Sequence, residues 1–135
     1  MTDAQPVLSV RDLTVSLPKE MERQHAIRGV SFDLNHGEIL CIIGESGSGK
    51  SVTASTVMGL LSPAMKVAGG SIRFNGADLL QMPERERRSL RGKSLSMIFQ
   101  DPLSALNPLM TVGAQVDEVL VAHGWTDKAK RSAKV

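Results

Sequence analysis

Apolar and polar positions alternate, imperfectly, over the first stretch of the chain. Leu8 and Val10 are followed by Leu13, Val15 and Leu17, with the charged pair Arg11-Asp12 between them. Such a pattern predicts one or two half-buried strands with a bend at Arg11-Asp12. Residues 18–24 are charged and break the alternation, as a surface hairpin loop would. Val30, Phe32 and Leu34 resume it, and Asn35-His36-Gly37 marks a turn. Residues 38–43 are then mostly apolar, with the length and composition of a fully buried parallel strand. Residues 51–61 read as a helix stopped by Ser62-Pro63. The front of the chain is therefore antiparallel β structure feeding a central parallel strand.

The second half begins with residues 67–70, Val-Ala-Gly-Gly, which read as a flexible link. Residues 71–74 alternate as a short strand closed by Asn75-Gly76. Pro83 opens a charged helix running to Arg91, acidic early and basic late, as a solvated helix face is. Residues 95–99 form a second apolar strand, followed by Gln100-Asp101-Pro102 and a loop over 103–110. Residues 112–123 have Val112, Val116, Val119 and Leu120 on one side at helical spacing, a stripe that reads as core-facing. Gly124 ends this helix, and Thr126-Asp127 has the chemistry to cap a further one.

Composition narrows the function classes. The 135 residues suit one domain, 1–135, and a net charge of +2 is too small a surplus to hold DNA, so no nucleic-acid role is expected. Cys41 is the only cysteine, so no internal disulfide can form. Its place in the apolar run predicts a small buried packing residue. His25, His36 and His123 are scattered without metal-ligand spacing. No apolar run approaches the length of a membrane span, and the first residues lack the basic-then-apolar order of an export signal. The chain reads as soluble and unexported.

The chemistry concentrates in Gly44-Glu45-Ser46-Gly47-Ser48-Gly49-Lys50-Ser51, which satisfies Gly-x-x-x-x-Gly-Lys-Ser/Thr in full. Glycines let the backbone curl so that successive N–H groups point inward at an anion. Lys50 brings a mobile charge to outer phosphates, and the Ser51 hydroxyl can ligate Mg²⁺. The expected helix just after the loop adds the positive end of its dipole. A strand, a glycine loop and a helix in that order are the context that a nucleotide-phosphate site requires.

Such a loop alone does not choose among kinases, GTPases and ATPases. At the end of the 95–99 strand two readings compete. Asp101 is the metal-anchoring carboxylate in one; in the other Gln100 reaches metal and water with its amide, and the following loop carries the signal outward. Gln100 is favoured, because it intervenes before Asp101 and Pro102 follows at once.

Residues 97–108, Met-Ile-Phe-Gln-Asp-Pro-Leu-Ser-Ala-Leu-Asn-Pro, resemble the Q-loop of ABC transporter ATP-binding subunits. Within that family the likeness is greatest to the peptide, nickel and glutathione import branch, whose phosphate-loop style and Gly69-Gly70-Ser71-Ile72 link the chain also shares. The resemblance runs from about Leu8 to about Trp125. It implies an α/β fold, a P-loop NTPase core of the ABC ATPase type with an N-terminal antiparallel β subdomain. It further implies that Gly44, Glu45, Ser46, Gly47, Ser48, Gly49, Lys50 and Ser51 hold ATP, that Ser51 and Gln100 attend Mg²⁺, and that Lys50 and Gln100 serve catalysis. Implied partners are transmembrane permease subunits, a second ATP-binding subunit and, indirectly, an extracytoplasmic solute-binding protein. The implied place is the cytoplasmic face of the plasma (inner) membrane, as a peripheral subunit. The loop from Asp101 to Met110 would lie near the coupling helix of the permease. Two departures stand out. Where the family stacks adenine on an aromatic ring, this chain offers Leu17, Met21 and His25, so base recognition is expected to be weak or supplied differently. The Leu-Ser-Gly-Gly-Gln signature, the second acidic strand with its glutamate, and the switch histidine do not occur among these 135 residues. A different phosphate-loop enzyme, such as a small-molecule kinase, and a non-catalytic nucleotide-binding module remain as alternatives.

Overall fold

A computed structural model of the chain describes residues 5–101 and 106–135. The chain divides into two compact units, residues 1–88 and 89–135.

The first unit is built on a four-stranded antiparallel sheet, in the order β2-β1-β3-β4. Its elements are β1 Leu8–Ser16, β2 His25–Leu34, α1 Lys50–Val57, β3 Lys66–Phe74, β4 Ala77–Asp78 and α2 Glu84–Leu90, the last running just past the unit's end. The imperfect alternation of β1 has a structural cause. Val10 and Leu13 are an odd number of positions apart, so a regular strand would send them to opposite faces. The ladder is irregular between them, and Asp12 takes a left-handed φ of 47°. One extra residue in the strand restores the phase, and Val10, Leu13 and Val15 are all fully buried. The Ser31 hydroxyl accepts from the Asp12 N–H at 2.8 Å, satisfying a donor that the irregularity takes out of the ladder. On the other side Gly70, at φ 94°, lies so close that an added Cβ would stand 2.5 Å from the Arg11 carbonyl oxygen. Residues 67–70, expected as a flexible link, are therefore part of β3, and a glycine is needed there because β1 bulges toward it.

The bend at Arg11-Asp12, the hairpin loop after β1 and the Asn75-Gly76 turn all stand where expected. Leu17 and Gln24 close the hairpin loop with a 2.9 Å backbone bond. Asn75 and Gly76 have φ values of 48° and 83°, the two left-handed residues of a tight hairpin turn. The core of this unit unites Val10, Leu13 and Val15 of β1, Ala26 and Ile27 of β2, Ile72 and Phe74 of β3, Leu79, and Val57 and Met58 at the end of α1.

The second unit contains α3 Val112–Ala122 and α4 Lys128–Ser132. Thr111 caps α3 by accepting from the Ala114 N–H at 3.2 Å. Asp127 caps α4, accepting from the Ala129 and Lys130 N–H groups at 2.9 and 3.2 Å. Arg131 ties the two helices together, its Nε donating to Asp117 Oδ1 at 2.6 Å.

Three expectations are corrected here. Residues 38–43 and 95–99 are not strands; apart from a single bridge between Arg91 and Leu95, no ladder includes them. Parallel strands take their hydrogen bonds from neighbours on both sides and bury both faces. No described strand supplies those neighbours, so Ile39, Ile43 and Ile98 are 97, 91 and 91% exposed. Cys41, expected to be buried in that strand, is exposed for the same reason. The α3 stripe is also uncovered, with Val112 63% exposed and Val116 and Val119 likewise exposed.

Candidate functional site

The glycine loop connects segment 38–43, which has no regular secondary structure, to the first turn of α1, which begins at Lys50. Gly49 is the residue before that turn, with φ 98°, and neither a side chain nor a first-turn acid covers the helix start. The first N–H groups of α1 thus lack intrahelical partners and project toward the loop. A Cβ on Gly49 would lie 2.1 Å from Ile27 Cγ2 and 2.8 Å from the Ala26 carbonyl oxygen. Left-handed backbone and close approach to β2 both require glycine at this position. Thr53 fixes the helix start from beneath: its N–H and Oγ1 donate to the Gly49 carbonyl at 2.8 and 3.0 Å. Thr53 and Thr56 are buried, and Thr56 Oγ1 donates to the Val52 carbonyl at 2.6 Å, so neither hydroxyl goes unsatisfied.

Within the loop, Lys50 curls back. Its Nζ donates to the Gly44 and Glu45 carbonyls at 2.6 and 2.7 Å and to Ser48 Oγ at 3.2 Å. The ammonium therefore sits among the loop's own oxygens, at the centre of the curl, within reach of anything the curl encloses. Ser51, in the first helical turn, is exposed. Beside the loop a cavity of about 400 Å³ is lined by Phe32, Ile42, Ser48, Gly49, Lys50 and Thr53 among others. Another cavity, about 530 Å³, lies at the β1–β2 hairpin and brings together Leu17, Met21 and His25 with Ser16, Pro18, Lys19 and Gln24. The three residues noted in the sequence as standing in for an aromatic platform thus do share one surface.

A metal here would need few protein ligands. Among the described residues no group of three or more His, Cys, Asp and Glu side chains could hold one alone. Mg²⁺ demands no such group, because it keeps waters and takes substrate phosphate oxygens alongside one or two protein oxygens. An exposed hydroxyl at Ser51, at the end of the glycine curl, fits that donor set.

Gln100 and Asp101 belong to the second unit, and both are exposed. Pro102, Leu103, Ser104 and Ala105, the middle of the Q-loop-like stretch, lie outside the described residues. Beyond them Gln115 of α3 clasps the rest of that loop. Its Oε1 accepts from the Asn107 N–H at 2.9 Å, and its Nε2 donates to the Asn107 and Met110 carbonyls at 3.1 and 3.2 Å. Gln115 was not singled out in the sequence, where a lone Gln on a helix carries no signal. Thr53 and Ile27 carry no sequence signal either, since their roles depend on what packs against Gly49.

A glycine curl running into an uncapped helix start is the phosphate-loop arrangement, here without the strand expected before it. The chain belongs to the ABC transporter family, whose model matches residues 27–135. It is 52% identical over 118 residues to a dipeptide transport ATP-binding protein of Bacillus subtilis, covering 87% of this chain and 35% of that protein. It is 47% identical over 127 residues to an oligopeptide transport ATP-binding protein of Salmonella typhimurium, covering 94% of this chain and 38% of that protein. The chain thus spans little more than a third of the length of these relatives. Among solved structures it shares the fold of a dimeric bacterial ABC transporter cassette, with a TM-score of 0.74 at 23% identity, over 92% of this chain and 52% of that one. No described helix is long and apolar enough to cross a membrane.

Proposed function

We propose that this chain is the N-terminal part of an ABC transporter nucleotide-binding domain, residues 1–135, and that it binds the phosphates of Mg·ATP in the curl from Gly44 to Ser51. The observation that carries the reading is the pairing of an uncapped helix start with the Lys50 ammonium inside the same curl. Backbone N–H groups and the dipole supply anion affinity, with no acidic residue in the helix's first turn. Lys50 would exchange its contacts to the loop carbonyls for oxygens of the outer phosphates, and Ser51 would lend its hydroxyl to Mg²⁺. Bound Mg²⁺ would neutralise charge developing on the transferred phosphoryl group. Gln100 would attend Mg²⁺ and the attacking water with its side-chain amide.

In the complete protein the reading extends to ATP hydrolysis driving import of peptides or a related small solute. That protein would work as a peripheral subunit on the cytoplasmic face of the plasma (inner) membrane. Its partners would be transmembrane permease subunits, a second ATP-binding subunit and, indirectly, an extracytoplasmic solute-binding protein. Supporting this are the peptide-transport relatives, at about half identity over most of the chain. These 135 residues by themselves lack a water-activating glutamate and a signature motif. General-base assistance is commonly worth about 10²- to 10⁴-fold, so hydrolysis by this chain alone should be negligible.

The test is an equilibrium titration with a labelled Mg·ATP, on the parent chain and on Lys50→Ala. Saturable binding that weakens at least about tenfold in the variant is expected, as loss of a charge-assisted contact implies. Equal binding by both proteins would place the nucleotide elsewhere. Gln100→Ala should reduce the Mg²⁺ dependence of binding, with Asp101→Asn close to the parent; the reverse order would favour Asp101 as the metal anchor.

A further inference from the structure

Arg23 stands in the charged hairpin loop after β1, where sequence alone assigns it no task. In the fold its guanidinium reaches the glycine curl. Nη1 donates to the Gly47 carbonyl at 3.0 Å, and Nη2 donates to the Ala26 carbonyl at 3.2 Å. One planar group thereby joins the hairpin loop, β2 and the crest of the curl. Packing does not hold that crest: Gly47 has φ 77°, and an added Cβ would meet nothing within 4 Å.

The consequence lies in the peptide between Gly47 and Ser48. In a planar trans peptide the carbonyl and the following N–H point opposite ways. With the Gly47 carbonyl turned out to Arg23, the Ser48 N–H turns inward, where it donates to the Glu45 carbonyl at 3.2 Å. That same carbonyl accepts from Lys50 Nζ at 2.7 Å. The donor is therefore aimed at the space Lys50 serves. Were this peptide free to rotate, its carbonyl oxygen would face an incoming anion and repel it.

We propose that Arg23 is a positioning residue for the phosphate cradle, holding the Gly47–Ser48 peptide with its N–H inward. The proposal rests on the nucleotide reading given above. It also requires arginine in particular. A guanidinium presents several donors in a rigid fork, so two carbonyls can be held at fixed positions, whereas a lysine ammonium is a point donor on a flexible stem.

The experiment titrates the parent chain, Arg23→Ala, Arg23→Lys and Lys50→Ala with two probes, labelled Mg·ATP and, by competition, Mg·tripolyphosphate. The second probe has the phosphates but neither base nor sugar. Arg23→Ala should weaken both probes by the same factor, about tenfold for a lost charge-assisted bond. Arg23→Lys should fall between, and thermal midpoints should stay within about 3 °C of the parent, as for exposed substitutions generally. Parent-like affinity of Arg23→Ala for both probes, with Lys50→Ala defective, overturns the proposal and leaves the nucleotide reading standing. Weakened ATP with unchanged tripolyphosphate also overturns it, making Arg23 a base or ribose contact. Failure of the parent to bind either probe removes the nucleotide reading and this proposal together. If Arg23→Ala does not fold, Arg23→Lys decides: an equal loss for both probes supports the role, and parent-like affinity refutes it.

Discussion

Gly47 and Gly49 separate two reasons for glycine in one curl. Both are left-handed, at φ 77° and 98°, but only Gly49 is pressed against β2. Gly47→Ala should cost about 1–2 kcal/mol, the ordinary penalty of a Cβ in left-handed backbone. Gly49→Ala adds a clash with the Ile27 side chain and the Ala26 backbone, so a loss of about 3 kcal/mol is expected, together with loss of nucleotide binding. Urea midpoints of the two variants, each paired with an ATP titration, check the order. The motif was legible at this scale because its residues are consecutive and each acts through backbone beside it. The partners of Gly49 were not, since Ala26 and Ile27 arrive from a strand more than twenty positions earlier.

Strands β1 and β2 carry a pH-dependent link of their own. Arg11 Nη2 donates to Asp33 Oδ2 at 2.6 Å, and Arg11 Nη1 also donates to the Val10 and Phe32 carbonyls at 2.9 and 3.2 Å. The hydrogen bond from Arg11, with a further one from Ser9, holds the Asp33 carboxyl below its usual range. A carboxylate with a lowered native pKa adds stability that is fully present above its unfolded value, about 3.9, and is lost as pH falls through the lowered native value. The thermal midpoint of Asp33→Asn should therefore lie below the parent at neutral pH and meet it in acid. Because the pair is exposed, added salt should narrow the gap. A gap that persists below the native pKa would show that packing, not charge, separates the two proteins. Periodicity made these strands legible, including the bend at Arg11-Asp12. It also placed α3 correctly, but which of its faces is covered depends on neighbours that a helical period does not name.

Across the whole molecule, the mismatch is between apolar sequence and exposed position. Ile39, Ile43 and Ile98 sit in runs that read as buried strands yet are almost wholly exposed. Ile39→Ser should leave the unfolding midpoint unchanged within about 0.5 kcal/mol, as expected at a site that buries nothing. The same substitution should reduce concentration-dependent self-association in light scattering, since contiguous exposed apolar surface promotes it. A large drop in stability would mean that the 38–43 segment is buried in solution. The four-stranded sheet should be insensitive to this change, because its core of Val10, Leu13, Val15 and Ile72 is closed without that segment.

The sequence by itself determined whatever neighbouring residues settle among themselves. The glycine curl, the Asn75-Gly76 turn and the Asp127 cap follow from contacts within a few positions, and the alternation that marks β1 is written in nearby residues. Tertiary structure alone decided what depends on a distant partner. It put Arg23 on the Gly47 carbonyl, pressed Ile27 against Gly49, and set the Ser31 hydroxyl on the Asp12 N–H. It also left two apolar runs outside any sheet, because a strand becomes a strand only when another strand offers it hydrogen bonds.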